Sequence, residues 1–404
     1  MRELFFRPRT GGVRALVRVI AKLCAPAILN VLTALTALTV PIALVVLVVP
    51  AAGCTFVVPD SPGVTVLSWN IENLFDAIDQ GTEYPEFTSG GGWTERDYQR
   101  RKQRIAEAVH ALRPRPDILV FIEIENEEVL DALMDRYIVD INAPYRAFTK
   151  GPGAAIGIGI ASRYPLVDVR THLARSGEFP PLRPVLEAHL DVAGERLAIF
   201  ANHWKSKRGG APATEPLRRA SARLLAARLE ELRRSDPDLN LLVVGDFNER
   251  PREFELTGRS YPTALMPAED VQYFADALRS GEQDELPSWV TACWLKNPDF
   301  LLLAPEAESA RKHEEWFSGP VLVNLWDSSD TPGSFYFINR WERIDGIFAG
   351  ASLFESPGLV FGSFLVPCPR DGCDAQGRPL SWEDDSRGVS DHLPLLLTLE
   401  LHDE

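Results

Sequence analysis

The sequence predicts an α/β fold, and three kinds of pattern support this prediction. Residues 64–67, 117–121 and 241–244 are almost uninterrupted apolar runs, which is typical of strands covered on both faces. Two segments with apolar residues at helical spacing lead into such runs, as in α/β proteins. Residues 186–191 and 196–202 instead indicate an antiparallel hairpin. We therefore expect sheets that mix parallel and antiparallel strands.

Both predicted helices have recognisable boundaries. The first begins at Thr94, which forms a capping-box pattern with Asp97, and Pro114 stops it. The second begins near Pro216 and ends before Ser235. The 340 or so residues after the N-terminal segment suffice for one large core, so no second domain is required.

Polar residues that can carry chemistry lie at or near the ends of the predicted strands. The patches are Ser68-Trp69-Asn70-Ile71-Glu72, Ile122-Glu123-Ile124-Glu125, Asn202-His203-Trp204, Gly245-Asp246-Phe247-Asn248, and Arg343-Ile344-Asp345-Gly346 with Ser390-Asp391-His392. Because several strands each deliver Asn, Asp, Glu or His, we expect these ends to meet in space. Hard oxygen ligands suit Mg²⁺ or Mn²⁺, and a His–Asp pair suits activation of a water molecule. The sequence therefore predicts a metal-assisted hydrolase.

Each patch also has a simpler explanation when it stands alone. Asp246 fits a turn or helix cap after a strand, and Asp391 fits a cap in a loop before an ordinary strand. His203 alone is more often a structural histidine than a catalyst. If each patch were only a cap, nothing would explain why such patches occur together at the ends of five apolar strands. We therefore interpret the set as one site.

These motifs resemble those of the endonuclease/exonuclease/phosphatase superfamily, which includes deoxyribonuclease, apurinic endonucleases, bacterial sphingomyelinases and inositol polyphosphate 5-phosphatases. The resemblance spans residues 64–400, and its most specific elements are GDFN at 245–248 and SDH at 390–392. It implies a four-layer α-β-β-α sandwich of two packed mixed sheets flanked by helices. It also implies a metal-dependent phosphoesterase with Mg²⁺ or Mn²⁺ as its cofactor.

The resemblance assigns roles to individual residues of the site. Those that match the metal site are Asn70, Glu123 and Asp391, with the acid Glu72 beside them; those that match catalytic groups are His203, Asp246, Asn248, Asp345 and His392. In this assignment His392 is the general base, Asp345 orients it, and Asp246 helps to hold the water. His203 and Asn248 bind phosphate oxygens.

Two positions refine the resemblance. His203 favours the deoxyribonuclease, sphingomyelinase and 5-phosphatase branches, because the apurinic endonucleases place a tyrosine there. Ile122 stands where many relatives have Gln before the glutamate ligand. This departure leaves the ligand Glu123 in place and alters its surroundings.

The first 60 residues differ in composition from the rest of the chain. Six basic residues precede position 23, and no charged residue occurs from 23 to 59, a length sufficient to cross a bilayer. We predict a basic region (1–22), a hydrophobic signal or anchor segment (23–54) and an extracytoplasmic endonuclease/exonuclease/phosphatase domain (55–404). Ala51-Ala52-Gly53-Cys54 resembles a bacterial lipoprotein box, so Cys54 is the predicted lipidation site. A retained transmembrane helix is the alternative.

The predicted exported part is strongly acidic. One of the 57 acidic and six of the 42 basic residues lie in the first 54 positions, which leaves a formal charge of about −20 on residues 55–404. Such a domain is a poor general binder of nucleic acid, since duplex affinity rests largely on neutralised phosphates. A local basic rim remains compatible with a nuclease, and we predict this substrate-binding rim at Lys205, Lys207 and Arg208.

Three other features remain open from the sequence alone. We interpret the basic cluster Arg96, Arg100, Arg101, Lys102 and Arg104 as a solvated helix face in preference to a second rim. Cys368 and Cys373 bracket a turn and can close a small disulfide loop in an oxidising compartment, whereas no Cys/His spacing suggests zinc. Residues 249–343 are rich in Trp; either these loops select the substrate, with Trp341 at the rim, or the indoles pack the flank of the sheets.

We predict a magnesium-dependent phosphoesterase of nuclease type, tethered to a membrane by the N-terminal segment or by a lipid, without an obligate protein partner. The phosphate-ester substrate is then a nucleic acid. One alternative is a phosphatase or phosphodiesterase that acts on lipid head groups or small phosphate esters. Another is a catalytically silent binding protein with the same fold. The complete residue set argues against silence, because a protein freed of catalysis has no need of it.

Overall fold

The computed structural model describes residues 63–177, 182–282, 286–317, 319–369, 371–383 and 387–402. The predictions for segments 1–22 and 23–54, including lipidation at Cys54, lie outside these residues. Within the described ranges, no helix combines the length and the apolar character needed to cross a membrane.

The described residues form the following strands and helices. The strands are β1 (Gly63–Leu74), β2 (Ile118–Ile124), β3 (Tyr145–Lys150), β4 (Gly157–Ser162), β5 (Leu166–His172), β6 (Val185–Val192), β7 (Glu195–His203), β8 (Asn240–Asp246), β9 (Leu265–Pro267), β10 (Leu301–Ala304), β11 (Val321–Asn324), β12 (Phe335–Phe337), β13 (Arg340–Glu342), β14 (Asp345–Ala349), β15 (Gly358–Leu365) and β16 (Leu395–His402). The helices are α1 (Glu95–Ala111), α2 (Glu127–Arg136), α3 (Ala211–Ser235), α4 (Glu253–Leu256), α5 (Ala268–Ser280), α6 (Ala292–Lys296) and α7 (Ala307–Glu314).

Two mixed sheets form the centre of the domain. In the first sheet the strand order is β15-β16-β1-β2-β4-β3, and in the second it is β5-β6-β7-β8-β14-β11-β10-β9. The neighbours β1 and β2 are parallel, as are β7 and β8, whereas β16 and β14 run antiparallel to β1 and β8. The carboxyl ends of two parallel pairs therefore lie beside the amino ends of β14 and β16.

The layers follow from the alternation of side chains along each strand. Val66 of β1 packs in the same apolar cluster as Leu242 of β8, so this cluster lies between the sheets. The next residue, Leu67, packs on the opposite face with Val109 of α1. Helix α3 covers the other sheet, where Leu225 packs in a third cluster. The predicted four-layer α-β-β-α sandwich is confirmed.

The helix and hairpin predictions are confirmed, with one shifted boundary. Thr94 and Asp97 form the capping box of α1, and Ala193 with Gly194 turns the β6–β7 hairpin at positive φ. Helix α3, however, begins at Ala211, five residues before Pro216. The hydroxyl of Thr214 donates a hydrogen bond to the carbonyl of Gly210 (2.9 Å) and so supports the first turn. The proline therefore lies inside the helix and does not start it.

Residues 249–343 contain more regular structure than the sequence suggested. Strands β9, β10 and β11 are three or four residues long and extend the second sheet. Trp289, Trp294 and Trp316 pack against the core between the sheets, and Trp326 is buried. These four indoles therefore pack the flank of the sheets. Trp341 is half-buried on the β12–β13 hairpin.

The cysteine prediction is also confirmed. Cys368 and Cys373 form a disulfide bond that closes a small loop before β16. Cys293 is exposed and has a free thiol.

Candidate active site

Strand pairing brings the predicted site residues to one edge of the two sheets. His203 is the register partner of Asp246 in the β7–β8 pair, and Asp246 is the partner of Asp345 in the β8–β14 pair. His392 precedes β16, which pairs with β1 near Ser68. The two sheets meet at this edge, where the side-chain amide of Asn70 donates a hydrogen bond to Asp246 Oδ2 (3.2 Å).

His392 and Asp345 form a buried dyad. His392 Nδ1 lies 2.8 Å from Asp345 Oδ2, and the hydroxyl of Ser334 donates to the same oxygen at 2.5 Å. Two indole N–H groups fix the backbone on either side: Trp326 donates to the carbonyl of Asp345 (2.7 Å) and Trp69 to that of His392 (2.8 Å). Because Asp345 accepts a hydrogen bond from Nδ1–H, Nε2 of His392 is left for chemistry.

The surroundings of His392 favour its protonated form. Burial opposes the charge, but Asp345, Asp391 and Asp246 together raise the pKa of His392 well above its usual range. Nε2 lies 3.8 Å from Asp391 Oδ1. The ring is therefore an imidazolium at neutral pH in the metal-free protein.

Asp246 lies at the centre of the site. Its Oδ1 accepts a hydrogen bond from the backbone N–H of Asn248 (2.8 Å), and its Oδ2 lies 3.7 Å from His203 Nε2. Burial and the neighbouring Asp345 raise the pKa of Asp246 to about 7. The side-chain amide of Asn248 donates to the carbonyl of Trp204 (3.2 Å), which ties the end of β8 to the end of β7.

Glu123 and His203 face each other across the two sheets. The distance from His203 Nε2 to Glu123 Oε1 is 3.5 Å, and the backbone N–H of Asn73 donates to Glu123 Oε2 (3.0 Å). Burial, with nearby Arg183 and His392, lowers the pKa of His203 well below its usual range. His203 is therefore a neutral imidazole at neutral pH, unlike His392.

Glu72 connects the end of β1 to the loop before β16. Its carboxylate accepts hydrogen bonds from the hydroxyl of Ser381 (2.5 Å) and from the backbone N–H groups of Trp382 and Asp391 (3.0 Å each). Burial and the charge of Asp391 raise the pKa of Glu72 to about 7. Burial likewise raises the pKa of Asp391 to about 6.

The predicted solvated face of α1 is wrong for two of its basic residues. Arg101, only 1% exposed, donates to the carbonyls of Val389 (2.5 Å), Ile71 (2.5 Å) and Glu72 (2.7 Å). Lys102 is equally buried. The sequence pattern did not reveal these burials because the partners of Arg101 are backbone atoms remote along the chain. The exposed members of the cluster are Arg96 and Arg100.

The backbone adopts uncommon conformations around the site. Glu72, Asn73, Glu123 and Asn248 all have φ between 51° and 70°, a region that residues other than glycine seldom adopt. Gly245 has φ 133°, and a Cβ atom there would lie 2.0 Å from the carbonyl oxygen of Asn202. The close approach of β7 and β8 therefore requires the glycine of the GDFN motif.

The donor set fits a divalent cation. Several carboxylates converge on this edge, and burial together with their mutual repulsion raises the pKa values of Glu72, Asp246 and Asp391. A hard cation would offset this concentrated charge. Ligand atoms of Asp246, Asp345 and His392 also lie within 4.8 Å of one another. Because Asp345 Oδ2 already accepts from Ser334 and His392 Nδ1, we interpret Asp345 as the orienting group.

The predicted basic rim is less uniform than expected. Lys207 forms an ion pair with Glu253 (2.7 Å), whereas Arg208 is exposed and Lys205 is half-buried with its ammonium 3.3 Å from the hydroxyl of Ser206. The structure adds Arg183, which donates to the carbonyl of Trp204 (2.8 Å). Arg183 belongs to no recognisable motif, so its place at the rim could not be predicted from the sequence.

The eight predicted catalytic and metal-site residues and Glu72 thus converge on one edge, while their individual roles remain predictions. The residues that sequence reasoning missed hold or border this set: Ser334, Trp326, Arg101 and Arg183.

This combination of fold and site is that of a metal-dependent hydrolase of phosphate esters. The model of the endonuclease/exonuclease/phosphatase family matches residues 65–265. The chain belongs to this family and is an enzyme that hydrolyses phosphoesters. No curated protein matches the chain.

Solved structures with a similar fold include three proteins of low sequence identity. TDP2 from Caenorhabditis elegans is 14% identical, with 84% of this chain and 74% of that chain covered and a TM-score of 0.45. The human Nocturnin catalytic domain is 17% identical (84% and 95% covered, TM-score 0.44). A mannosyl-6-phosphatase from Bacteroides thetaiotaomicron is also 17% identical (83% and 99% covered, TM-score 0.45).

Proposed function

We propose that the protein is a Mg²⁺-dependent phosphodiesterase of nuclease type that acts on the extracytoplasmic side of a membrane. The observation that carries the hydrolytic part is the His392–Asp345 dyad placed beside Asp246, with Asn70 and Glu123 on the opposite sheet. This arrangement supplies a base, an orienting carboxylate and metal ligands at one edge.

The residues of the chain divide the chemistry between them. A cation held by Asn70, Glu123 and Asp391 would neutralise charge on the phosphate. His392, with Nδ1 held by Asp345, accepts the proton of the attacking water at Nε2 once it is neutral. Asp246 orients that water. Neutral His203 and the amide of Asn248 donate to phosphate oxygens as negative charge develops.

Two observations support the proposed location. The uncharged stretch after six basic residues is typical of a membrane-targeting segment, and disulfides such as Cys368–Cys373 persist in oxidising compartments. We propose lipidation of Cys54. Mass spectrometry of the membrane-extracted protein tests it: a chain that begins at a lipidated Cys54 is the expected result. An intact segment 1–54 shows a retained helix, and a soluble form with an unmodified Cys54 contradicts lipidation.

Lipid head groups or small phosphate esters are the second candidate substrates. The ion pair between Lys207 and Glu253 favours this alternative, because it removes one of three cations from the rim that a nucleic acid strand would contact. Lys205 and Arg208 then remain as the phosphate contacts of a nuclease.

The experiment compares the full-length protein on plasmid DNA, RNA, sphingomyelin and inositol phosphates, with Mg²⁺ and with chelator. Cleavage of a nucleic acid that requires Mg²⁺ is expected. Replacing Lys205 and Arg208 together by Gln should flatten the salt dependence by about two phosphate contacts. Lys207→Gln is the matched control and should change the slope less. An unchanged slope in the double variant favours the small-ester alternative.

A further inference from the structure

The β12–β13 hairpin connects the catalytic dyad to the surface. Its stem begins at Ser334, whose hydroxyl donates to Asp345 and whose carbonyl accepts the backbone N–H of Leu393 (2.7 Å). Phe335 forms an isolated β-bridge with His392. The hairpin is therefore attached directly to both residues of the dyad.

One face of this hairpin is a stack of aromatic rings that starts at the catalytic histidine. The ring of Phe335 lies 4.6 Å from that of His392, with 30° between their planes. The ring of Phe337 lies 5.9 Å from that of Phe335, at 18°. Phe337, the outer ring, is 56% exposed. The stack thus ends in an aromatic ring open to solvent.

The other face of the hairpin is packed. Tyr336 contacts Trp341 edge-on, and the guanidinium of Arg378 lies 5.0 Å from the centre of the Tyr336 ring. The turn at Ile338 and Asn339 has positive φ at both positions, which is the geometry of a tight two-residue hairpin. Because one face is packed and the turn is short, the exposed ring has a defined position.

We infer that Phe337 is a binding surface for a flat nucleobase of the substrate, carried by the nucleotide beside the scissile phosphate. This inference rests on the proposed nuclease function of the same site. A base laid on Phe337 continues the stack that already runs from His392 through Phe335. The register partner of Phe337 is Arg340, an exposed cation suited to a neighbouring phosphate.

The stack favours a base over an acyl chain. Parallel rings offer a flat surface, and stacking on an aromatic side chain contributes about 1–3 kcal/mol per base in proteins that bind single strands. The turn also carries polar Asn339 and charged Arg340, which a surface that enters lipid would not favour. Membrane contact through Phe337 and Ile338 is therefore an outcome of the test that would contradict the inference.

The test measures inhibition of methyl p-nitrophenyl phosphate hydrolysis by AMP and by ribose 5-phosphate, which lacks the base. In the wild-type protein AMP should inhibit about tenfold more strongly, as one stacked base implies. Phe337→Ser should abolish this difference, Phe337→Trp should retain it, and Ile338→Ser is the matched control at the same turn. Hydrolysis of the small diester should not change in the Ile338→Ser variant.

Three outcomes distinguish a base-binding surface, a membrane contact and a failure of the nuclease proposal. If AMP and ribose 5-phosphate inhibit the wild-type protein equally, or if Phe337→Ser leaves the difference intact, the base-binding surface is wrong. If phosphatidylcholine vesicles bind the wild-type domain and release both the Phe337→Ser and Ile338→Ser variants, the hairpin is a membrane contact. If AMP is preferred through Phe337 but no oligonucleotide is cleaved, the nuclease proposal fails while the base-binding surface stands.

Discussion

At the scale of single residues, the two histidines of the site differ in charge because their neighbours differ. His392 lies among Asp345, Asp391 and Asp246, which raise its pKa, whereas burial lowers the pKa of His203. A base must be neutral and a donor to a phosphate oxygen need not be charged. The site therefore needs a change in charge near His392 before catalysis, which binding of a cation among these carboxylates would bring about.

Removing the base or the carboxylate that orients the water should lower the rate of the chemical step. His392→Ala and Asp246→Asn should each lower kcat by about 10²–10⁴-fold, the usual contribution of a general acid–base group. Asp246→Asn should not reduce stability much, because burial and repulsion already disfavour the ionised form of Asp246, whereas His392→Ala removes a buried cation that three carboxylates stabilise and should lower the melting temperature. Steady-state rates with Mg²⁺ and thermal melting measure both. A near-wild-type rate for His392→Ala would remove the proposed base.

Ser334 gives a finer test of the dyad. Its hydroxyl donates a hydrogen bond to the Asp345 oxygen that also accepts a hydrogen bond from His392 Nδ1. Hydrogen bonds to charged groups contribute about 1.5–3 kcal/mol, so Ser334→Ala should lower kcat by about ten- to hundredfold if the bond acts in the transition state. KM should change little, and Ser334→Thr should restore part of the rate. A loss confined to KM would show that Ser334 acts on substrate binding.

At the scale of elements, the site depends on the loop between β15 and β16. In this loop Cys373 forms an isolated β-bridge with Pro379, and the backbone N–H of Leu380 donates a hydrogen bond to the carbonyl of Gly372 (2.9 Å). The next residue, Ser381, donates to Glu72. A continuous set of contacts therefore leads from the disulfide to the carboxylates beside the predicted metal ligands.

Removing the disulfide should weaken metal binding. Replacing Cys368 and Cys373 by Ser frees a short loop, which costs about 2 kcal/mol of unfolding free energy by the loop-entropy relation. Because the contacts to Glu72 then loosen, the Mg²⁺ concentration for half-maximal activity should rise several-fold. Cys293→Ser, a change at the exposed free cysteine, is the matched control. If the Mg²⁺ dependence of the double variant equals that of the control, the loop does not position the site.

The strands that could be predicted from the sequence are those in which an apolar run is followed directly by residues of the site. The site residues of β1, β2, β7 and β8 follow apolar runs, so their convergence could be anticipated from strand ends. The β9, β10 and β11 strands could not, because runs of three or four residues carry no reliable period. The roles of Ser334 and Arg101 could not be predicted either. Ser334 binds Asp345, which lies in no common motif with it, and Arg101 binds the carbonyl of Val389, which is remote along the chain.

At the scale of the whole molecule, an acidic chain concentrates negative charge where it must bind an anionic substrate. The chain has a formal charge of −15, and its site carries carboxylates whose pKa values are raised by burial and by one another. Such a site repels phosphate until a cation offsets the charge. Metal binding, protonation and stability should therefore depend on one another.

This coupling predicts opposite effects of pH on the metal-free and the metal-bound protein. Folding raises the pKa of Asp246 from an ordinary 3.8 to about 7, and that of Glu72 from 4.5 to about 7. At pH values between the unfolded-state and the folded-state pKa, these carboxyl groups hold protons in the folded protein that they have released in the unfolded chain. The unfolding free energy of the metal-free protein should therefore fall as pH rises through this range. Above about pH 7 both carboxylates are ionised, and their negative charge beside the predicted ligands Asn70, Glu123 and Asp391 should favour the binding of Mg²⁺.

Thermal melting with Mg²⁺ or with chelator, at about pH 5.5 and about pH 8, measures the two effects together. Mg²⁺ should raise the melting temperature more at the higher pH, where an excess of a hundred times Kd adds about 2.7 kcal/mol. Asp246→Asn removes one of the titrating groups and should reduce the pH dependence of the metal-free protein. Asp168→Asn, at a half-buried position on β5 remote from the site residues in sequence, is the matched control. An equal Mg²⁺ effect at both pH values would show that these carboxylates do not govern metal binding.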